Sequence, residues 1–111
     1  MNDVTRKPNL HELFDFRDAS AISSFLQTNP FLSDVLLGAY YSASKWFGNN
    51  TPLALEVFSD PDEGYDQLFL LIRTQLPADD AQQRLDALYD DWWLDVIPTV
   101  QHTMAIDIEH A

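Results

Sequence analysis

The sequence predicts a single α+β domain in which two N-terminal helices precede a β-β-α-β unit and helices cover one face of a small three-stranded sheet. Two observations support this class. The chain has 111 residues, of which 46% are apolar, and this suits one packed core. Apolar residues recur at helical spacing over residues 30–47, and two strand-like apolar runs follow Pro52.

The first 18 residues predict a loosely held arm that docks on the domain formed by residues 19–111. Their charges are mixed with the apolar residues Leu10, Leu13, Phe14 and Phe16. A short first helix is expected through Gln27, because Asp18 or Ser20 can cap it. A second, longer helix is expected after Asn29-Pro30, since Asn caps well and Pro is favoured at the first helical position.

The second helix is predicted to end at Gly48, and two strands follow it. Residues 53–58 alternate between two faces, and residues 67–74 contain an apolar run typical of a central strand. Residues 59–64 are expected to form the turn of this hairpin. A third strand is predicted over residues 103–109, after Pro98, and either of the first two strands can be its neighbour.

The helix between the second and third strands is predicted to start at Pro77, with acidic residues on its outer side. Trp92 belongs to its apolar stripe. Because neighbouring helical side chains point about 100° apart, Trp93 either packs on another element or stands partly exposed as an interface anchor. The sequence therefore predicts an interaction surface formed by Asp86, Asp90, Asp91, Trp93 and Asp95.

The sheet face turned away from the helices is the second candidate surface. It is predicted to carry Glu56, Phe58, Phe69, Leu71, Arg73, Asp107 and Glu109. Such a face is too apolar to be left wholly in water. We expect it to be covered by the N-terminal arm or by a second copy, which would make a homodimer.

The acidic residues of the chain are concentrated in its second half. The net charge is −12, and residues 56–111 hold thirteen acids against only Arg73 and Arg84. This charge repels nucleic acid and anionic membranes and attracts basic partners. No apolar run of about 18 residues and no signal-peptide pattern occurs, so we expect a cytoplasmic protein without a membrane partner. The chain contains no cysteine, which excludes disulfides and thiolate chemistry.

Signals for catalysis are weak, and we predict no catalytic residue, metal or cofactor. Residues 60–66 partly resemble a calcium loop, but a solvated hairpin turn explains them better. Glu56, Asp107 and Glu109 can approach one another as paired carboxylates do in acid-base or magnesium sites. A cross-strand ion pair with Arg73 is the simpler interpretation.

The sequence also resembles a group of small uncharacterised bacterial proteins in four segments, LALEVFSDPDEG, LFLLIRTQL, RLDALYDDWWLD and IDIE. Members of this group show an LEVV strand followed by Asp-Pro, a helix finishing in WWLD and a final strand resembling IDVE. The match covers about residues 29–109 and departs in a loop expected at residues 98–102, where the group often has glycines. The resemblance supports the strand and helix assignments and implies no activity.

Three functions fit these features. We favour a non-catalytic acidic interaction module, such as an inhibitor, antitoxin or immunity-like regulator, that binds a basic or basic-rimmed protein partner. The first alternative is a nucleic-acid mimic, whose carboxylates would lie in rows. The second alternative is a small carboxylate or metal-dependent enzyme that uses Glu56 and Asp107.

Overall fold

The computed structural model describes residues 9–62 and 64–111, and it confirms the α+β class. Its helices are α1 (Leu10–Leu13), α2 (Ala19–Thr28), α3 (Leu32–Phe47), α4 (Ala78–Leu88) and α5 (Leu94–Val100), and a π-helical turn (Tyr89–Trp93) joins α4 to α5. Its strands are β1 (Asp15–Phe16), β2 (Leu53–Asp60), β3 (Tyr65–Thr74) and β4 (Met104–His110). The strands form one sheet in the order β1-β2-β3-β4.

The sheet has four strands where the sequence predicted three. The additional strand, β1, lies in the N-terminal arm and pairs in parallel with Ala54 and Leu55 of β2. The Arg17 N–H extends this pairing by donating to the Leu55 carbonyl at 3.0 Å. A strand of two residues has no alternation to recognise, so the sequence pattern cannot reveal it. Residues 1–8 of the predicted arm lie outside the described residues.

Three helices precede β2 where the sequence predicted two, because the arm contains the short helix α1, and a second difference lies at the junction of α2 and α3. Asp18 caps α2, because its carboxylate accepts the Ala21 N–H at 3.2 Å. The prediction that Asn29 caps the next helix is wrong. Its side-chain amide instead donates to the Phe25 carbonyl at 3.0 Å and closes the end of α2. Gly48 ends α3 as predicted, with a φ of 99° that favours glycine.

The two longest strands, β2 and β3, form the predicted antiparallel hairpin, and β3 lies in the centre of the sheet. The last strand, β4, pairs with β3 in parallel, so that Leu68 is opposite Met104 and Ile72 is opposite Ile108. This pairing answers the question of strand order that the sequence left open. The hairpin end of β3 therefore lies beside the start of β4.

The last helical segment differs from the prediction because it contains an extra residue. The Leu94 N–H donates to the carbonyl of Tyr89, five residues earlier, which defines a π-helical turn. The helix then continues beyond Pro98 to Val100, although a loop was predicted over residues 98–102. Pro98 removes the N–H that would bond Leu94, and both residues are exposed, so solvent can satisfy that carbonyl.

The core lies between the helices and one face of the sheet. Ile22, Leu36 and Leu88 from the helices are fully buried against Leu55, Leu68, Leu70 and Ile72 from the strands. Trp92 also packs closely, because a Cβ added to Gly38 of α3 would lie 2.7 Å from its ring. Among the described residues, no helix is long and apolar enough to cross a membrane. The opposite face of the sheet, which we call the open sheet face, is the second of the two candidate surfaces.

Candidate functional site

One end of the open sheet face is closed by four charged side chains, Arg17, Glu56, Arg73 and Glu109, which we call the ion-paired end. Arg17 donates two hydrogen bonds to the Glu109 carboxylate, at 2.7 and 2.5 Å. It also donates to Glu56 at 3.3 Å, and Arg73 donates to Glu109 at 3.0 Å. Arg17 thus reaches from the arm across the sheet to β4.

The ion-paired end covers apolar surface, and its contacts favour the charged forms of Arg17 and Glu109. Ala54 and Leu71 are opposite each other on this face and are only 0% and 9% exposed. The Arg17 hydrogen bond, assisted by Arg73, lowers the pKa of Glu109 to about 2. The same contact raises the pKa of Arg17. This end of the face therefore has a structural role, and the cross-strand pairing of Arg73 agrees with the sequence analysis.

The other end of the open sheet face forms a cleft of about 490 Å³. We call it the aromatic cleft, and its main lining residues are Phe58, Asp60, Tyr65, Gln67, Phe69 and Asp107. Phe58 is 46% exposed and Tyr65 is 37% exposed. Phe58 packs edge-on against Phe69, with the ring centroids 5.0 Å apart. The cleft therefore presents aromatic surface on the hairpin of β2 and β3.

Asp107 supplies a carboxylate at the margin of the aromatic cleft and also protects the edge of the sheet. Its Oδ1 accepts the N–H of Ile108 at 2.8 Å. The Tyr89 hydroxyl donates to the Ile106 carbonyl at 2.9 Å. Burial raises the pKa of Tyr89, and the charges of Asp107 and Asp86 raise it further. Because backbone groups of edge strand β4 are occupied, the face is better suited than this edge to receive a partner.

Trp93 does not stand on the surface, although the sequence analysis included it in the interaction surface. It is 2% exposed and belongs to the core, whereas Trp92 is half-buried. The extra residue of the π-helical turn carries the inward stripe from Leu88 to Trp93 instead of Trp92. Val100 continues this stripe at 1% exposure. Trp93 is therefore a core residue that cannot anchor a partner without unfolding.

Asp91, a second member of that surface, forms contacts within the protein. Its Oδ2 accepts hydrogen bonds from Lys45 Nζ at 3.0 Å and from Trp46 Nε1 at 3.3 Å. The Lys45 hydrogen bond, followed by that of Trp46, lowers the pKa of Asp91. This carboxylate connects the π-helical turn to α3, so its charge is compensated within the protein.

The remaining acids of the predicted surface stay on the outside of the helix. Asp86 accepts a hydrogen bond from Gln82 Nε2 at 2.9 Å. Asp90 and Asp95 are exposed and form no side-chain hydrogen bond or ion pair with any described residue. The apolar side chain exposed between them is Leu94, at 51%. Without Trp93, this surface has acids and one leucine but lacks an aromatic anchor.

The structure separates Glu56 from Asp107, and it pairs the third candidate carboxylate, Glu109, with the same arginine that binds Glu56. Glu56 lies on β2 and is bound by Arg17, while Asp107 lies on β4 with β3 between them. Within residues 9–62 and 64–111, no group of three or more possible metal ligands converges. The calcium-like loop includes Glu63, which lies outside the described residues.

Some of the acids that the nucleic-acid-mimic hypothesis groups together lie at opposite ends of the sheet. Asp60 and Asp62 lie at the hairpin end of β3, whereas Asp79 follows the opposite end of that strand. A strand of ten residues spans about 33 Å. The hairpin acids and the start of α4 are therefore separated by the length of the sheet.

Two features of the open face were missed from the sequence. Arg17 was grouped with the arm, because a contact across 92 residues leaves no local pattern. Asp60 was assigned to the turn of residues 59–64 and Tyr65 was left outside the second strand, although β2 and β3 extend to pair them with each other. Ser59 and Asp60 are both polar and exposed, so no alternation of apolar residues indicates this extension.

Comparison with known proteins gives no further assignment. The sequence matches no protein family model, no curated protein and no solved structure.

Proposed function

We propose that this protein is a non-catalytic acidic interaction module that binds a basic or basic-rimmed protein partner through the open face of its sheet. The observation that carries the proposal is the aromatic cleft, where Phe58 and Tyr65 are exposed next to the carboxylate of Asp107. Aromatic residues are enriched at the centres of protein interfaces, and complementary charge accelerates association.

The sheet face fits this role better than the acidic helix surface. The aromatic cleft combines concave shape, exposed aromatic rings and carboxylates on a hairpin held by the central strand. The helix surface offers Asp86, Asp90 and Asp95 around the single exposed Leu94. These helix acids support long-range steering of a basic partner rather than the contact itself.

A second copy of the chain is a weaker candidate for this face than a basic protein. A twofold contact would bring the same surface of two copies together. It would place Asp107 and Asp60 of each copy near those of the other, in a protein of net charge −12. Since like charges at an interface oppose association, we favour a partner of opposite charge.

An inhibitor, antitoxin or immunity-like regulator of the cytoplasm is the kind of module that we propose. Such proteins act by occupying a partner's surface, and this role requires no catalytic residue of their own. The resemblance to the group of small bacterial proteins is compatible with this role but implies no activity.

Affinity capture with three versions of the full chain tests the proposal. The wild type is compared with Phe58→Ser/Tyr65→Ser and with Asp90→Asn/Asp95→Asn, each used as bait in a lysate of the native cell at low salt. We expect a basic protein to be recovered by the wild type and by the aspartate variant but lost with the sheet-face variant. Equal recovery by all three baits, or recovery of nothing but the bait, would contradict the proposal.

A further inference from the structure

We propose that the aromatic cleft holds one arginine side chain of the protein partner, with its guanidinium group packed on the aromatic rings and paired with Asp107. This inference rests on the proposed function and specifies what the cleft recognises. The cleft of about 490 Å³ lies within the range of about 300 to 1,000 Å³ found for small-molecule sites, so it can accept a long side chain.

The aromatic lining supplies the first part of the recognition. Phe58 and Phe69 meet edge-on, with an interplanar angle of 86°, so their rings present surfaces in two directions. Tyr65 extends the aromatic lining along the hairpin. Cations are attracted to the faces of aromatic rings, and the planar guanidinium group can also stack on them.

The carboxylates of the cleft supply the second part of the recognition. Asp107 Oδ1 accepts the Ile108 N–H, and its Oδ2 accepts no hydrogen bond from the described residues. Asp60 adds a second acid to the lining. Among residues 9–62 and 64–111, neither lysine nor arginine lines the cleft, and Arg17 and Arg73 of the same face are bound to Glu109. In the described part of the chain, the cleft is therefore an aromatic site whose lining includes acidic residues and neither lysine nor arginine.

Arginine fits this site better than lysine. Its five donors and flat shape allow it to contact a carboxylate and an aromatic ring together, whereas the ammonium group of lysine is compact and strongly hydrated. A partner's arginine is favoured over a free guanidinium compound because Phe58 remains 46% exposed at the margin, where the backbone beside the arginine can pack.

Nuclear magnetic resonance of the full-length, nitrogen-15-labelled protein tests the inference. The probes are three capped peptides of glycine and serine that differ only in one central residue, which is arginine, lysine or citrulline, together with N-acetylarginine amide. Citrulline keeps the shape of arginine and removes its charge. We expect the arginine peptide to shift the amide signals of Phe58, Tyr65, Phe69 and Asp107, and to bind about tenfold more tightly than the citrulline peptide.

Variants of single acidic residues distinguish a specific ion pair between Asp107 and the arginine from a general effect of the protein's negative charge. Asp107→Asn keeps the Oδ1 that accepts the Ile108 N–H, and we expect it to weaken binding of the arginine peptide about tenfold. Asp95→Asn removes an equal charge from an exposed position on the helix and should change binding less than about twofold. The amide spectrum of each variant shows directly that it is folded.

Several results would overturn the arginine site. They are equal binding of the citrulline or lysine peptide, equal losses in the two variants, equal binding of N-acetylarginine amide, and no shift with any peptide up to about 10 mM. Concentration-dependent shifts of cleft signals without peptide would assign the cleft to a second copy. Equal citrulline binding at the cleft would still leave the proposed function standing, whereas the capture experiment tests that function separately.

Discussion

Trp93 and Phe58 occupy the two candidate surfaces of this protein and have opposite environments. Trp93, within the acidic helix segment, is 2% exposed, while Phe58, on the sheet, is 46% exposed. The larger aromatic residue is part of the core because a π-helical turn rotates it inward. The smaller one is exposed because it lies on the sheet face turned away from the core. Exposure of an aromatic residue thus depends on packing, and neighbouring acids do not predict it.

The open face shows a related difference between its two ends. At the ion-paired end, Arg17 of the arm neutralises Glu56 and Glu109 and covers the sheet. At the aromatic cleft, Asp107 has no such cation among the described residues. The same type of charge therefore stabilises the fold at one end and is available for binding at the other.

Replacing Trp93 gives the largest expected effect. Trp93→Ala should lower the free energy of unfolding by about 3 to 5 kcal/mol, because it empties a large volume of the core. The matched control is Leu94→Ala at the exposed neighbouring position, which should cost less than about 1 kcal/mol. Urea unfolding measures both values. Similar losses for the two variants would show that Trp93 is on the surface after all.

Gly38→Ala should have the next largest effect. An alanine Cβ would lie 2.7 Å from the Trp92 ring, and such overpacking costs about 1 to 3 kcal/mol. This loss exceeds the gain of up to about 1 kcal/mol that alanine brings to a helix. Trp92→Phe in the same chain should restore part of the stability, as measured in a double-mutant cycle. A Gly38→Ala protein more stable than the wild type would contradict the packing of Trp92 on α3.

The ion-paired end predicts a smaller effect that depends on pH. The folded-state pKa of Glu109, about 2, is below its ordinary value of 4.5, so folding favours the ionised carboxylate. The ionised Glu109 carboxylate therefore stabilises the folded protein at neutral pH, and this contribution is lost as the pH falls from 4.5 through 2. Glu109→Gln should lower the melting temperature at pH 7, with a difference from the wild type that narrows over this range.

Solvent limits the size of that difference, because the side chain of Glu109 is one-third exposed and the pair is screened. Asp95→Asn serves as the control and should follow the wild-type pH profile. A constant gap between Glu109→Gln and the wild type from pH 7 to pH 2 would argue against the ion pair as the cause.

Phe58→Ser should have the smallest effect on stability. The exposed side chain loses its edge contact with Phe69, which costs about 1 kcal/mol or less. The partner's affinity should nevertheless fall strongly, since Phe58 belongs to the proposed contact. Thermal unfolding and partner binding measured on the same sample separate the two effects. A large loss of stability would instead identify Phe58 as a core residue.

The sequence predicted the regular elements well because their apolar periods are long. The long helix α3, the hairpin of β2 and β3, and the alternation of Met104 and Ile106 in β4 are all present in the structure. The alternation along the strands also predicted that Glu56, Phe58 and Asp107 share the sheet face turned away from the helices.

The features that the sequence did not predict depend on tertiary contacts or on departures from regular geometry. A period of 3.6 residues assumes a uniform helix, so it cannot place Trp93 beyond a π-helical turn. The two-residue strand β1 exists because it pairs with Ala54 and Leu55. Likewise, Arg17 joins β1 to β4 through side-chain contacts that no local pattern encodes.

The central claim, that the sheet face rather than the helix surface contacts the partner, is tested most directly by calorimetric titration of the captured partner with two variants. Phe58→Ser should weaken binding at least about tenfold, and Asp90→Asn/Asp95→Asn should weaken it less than about threefold, mainly at low salt. The reverse order of losses, with Phe58→Ser close to wild type, would contradict this account and return the contact to the acidic helix.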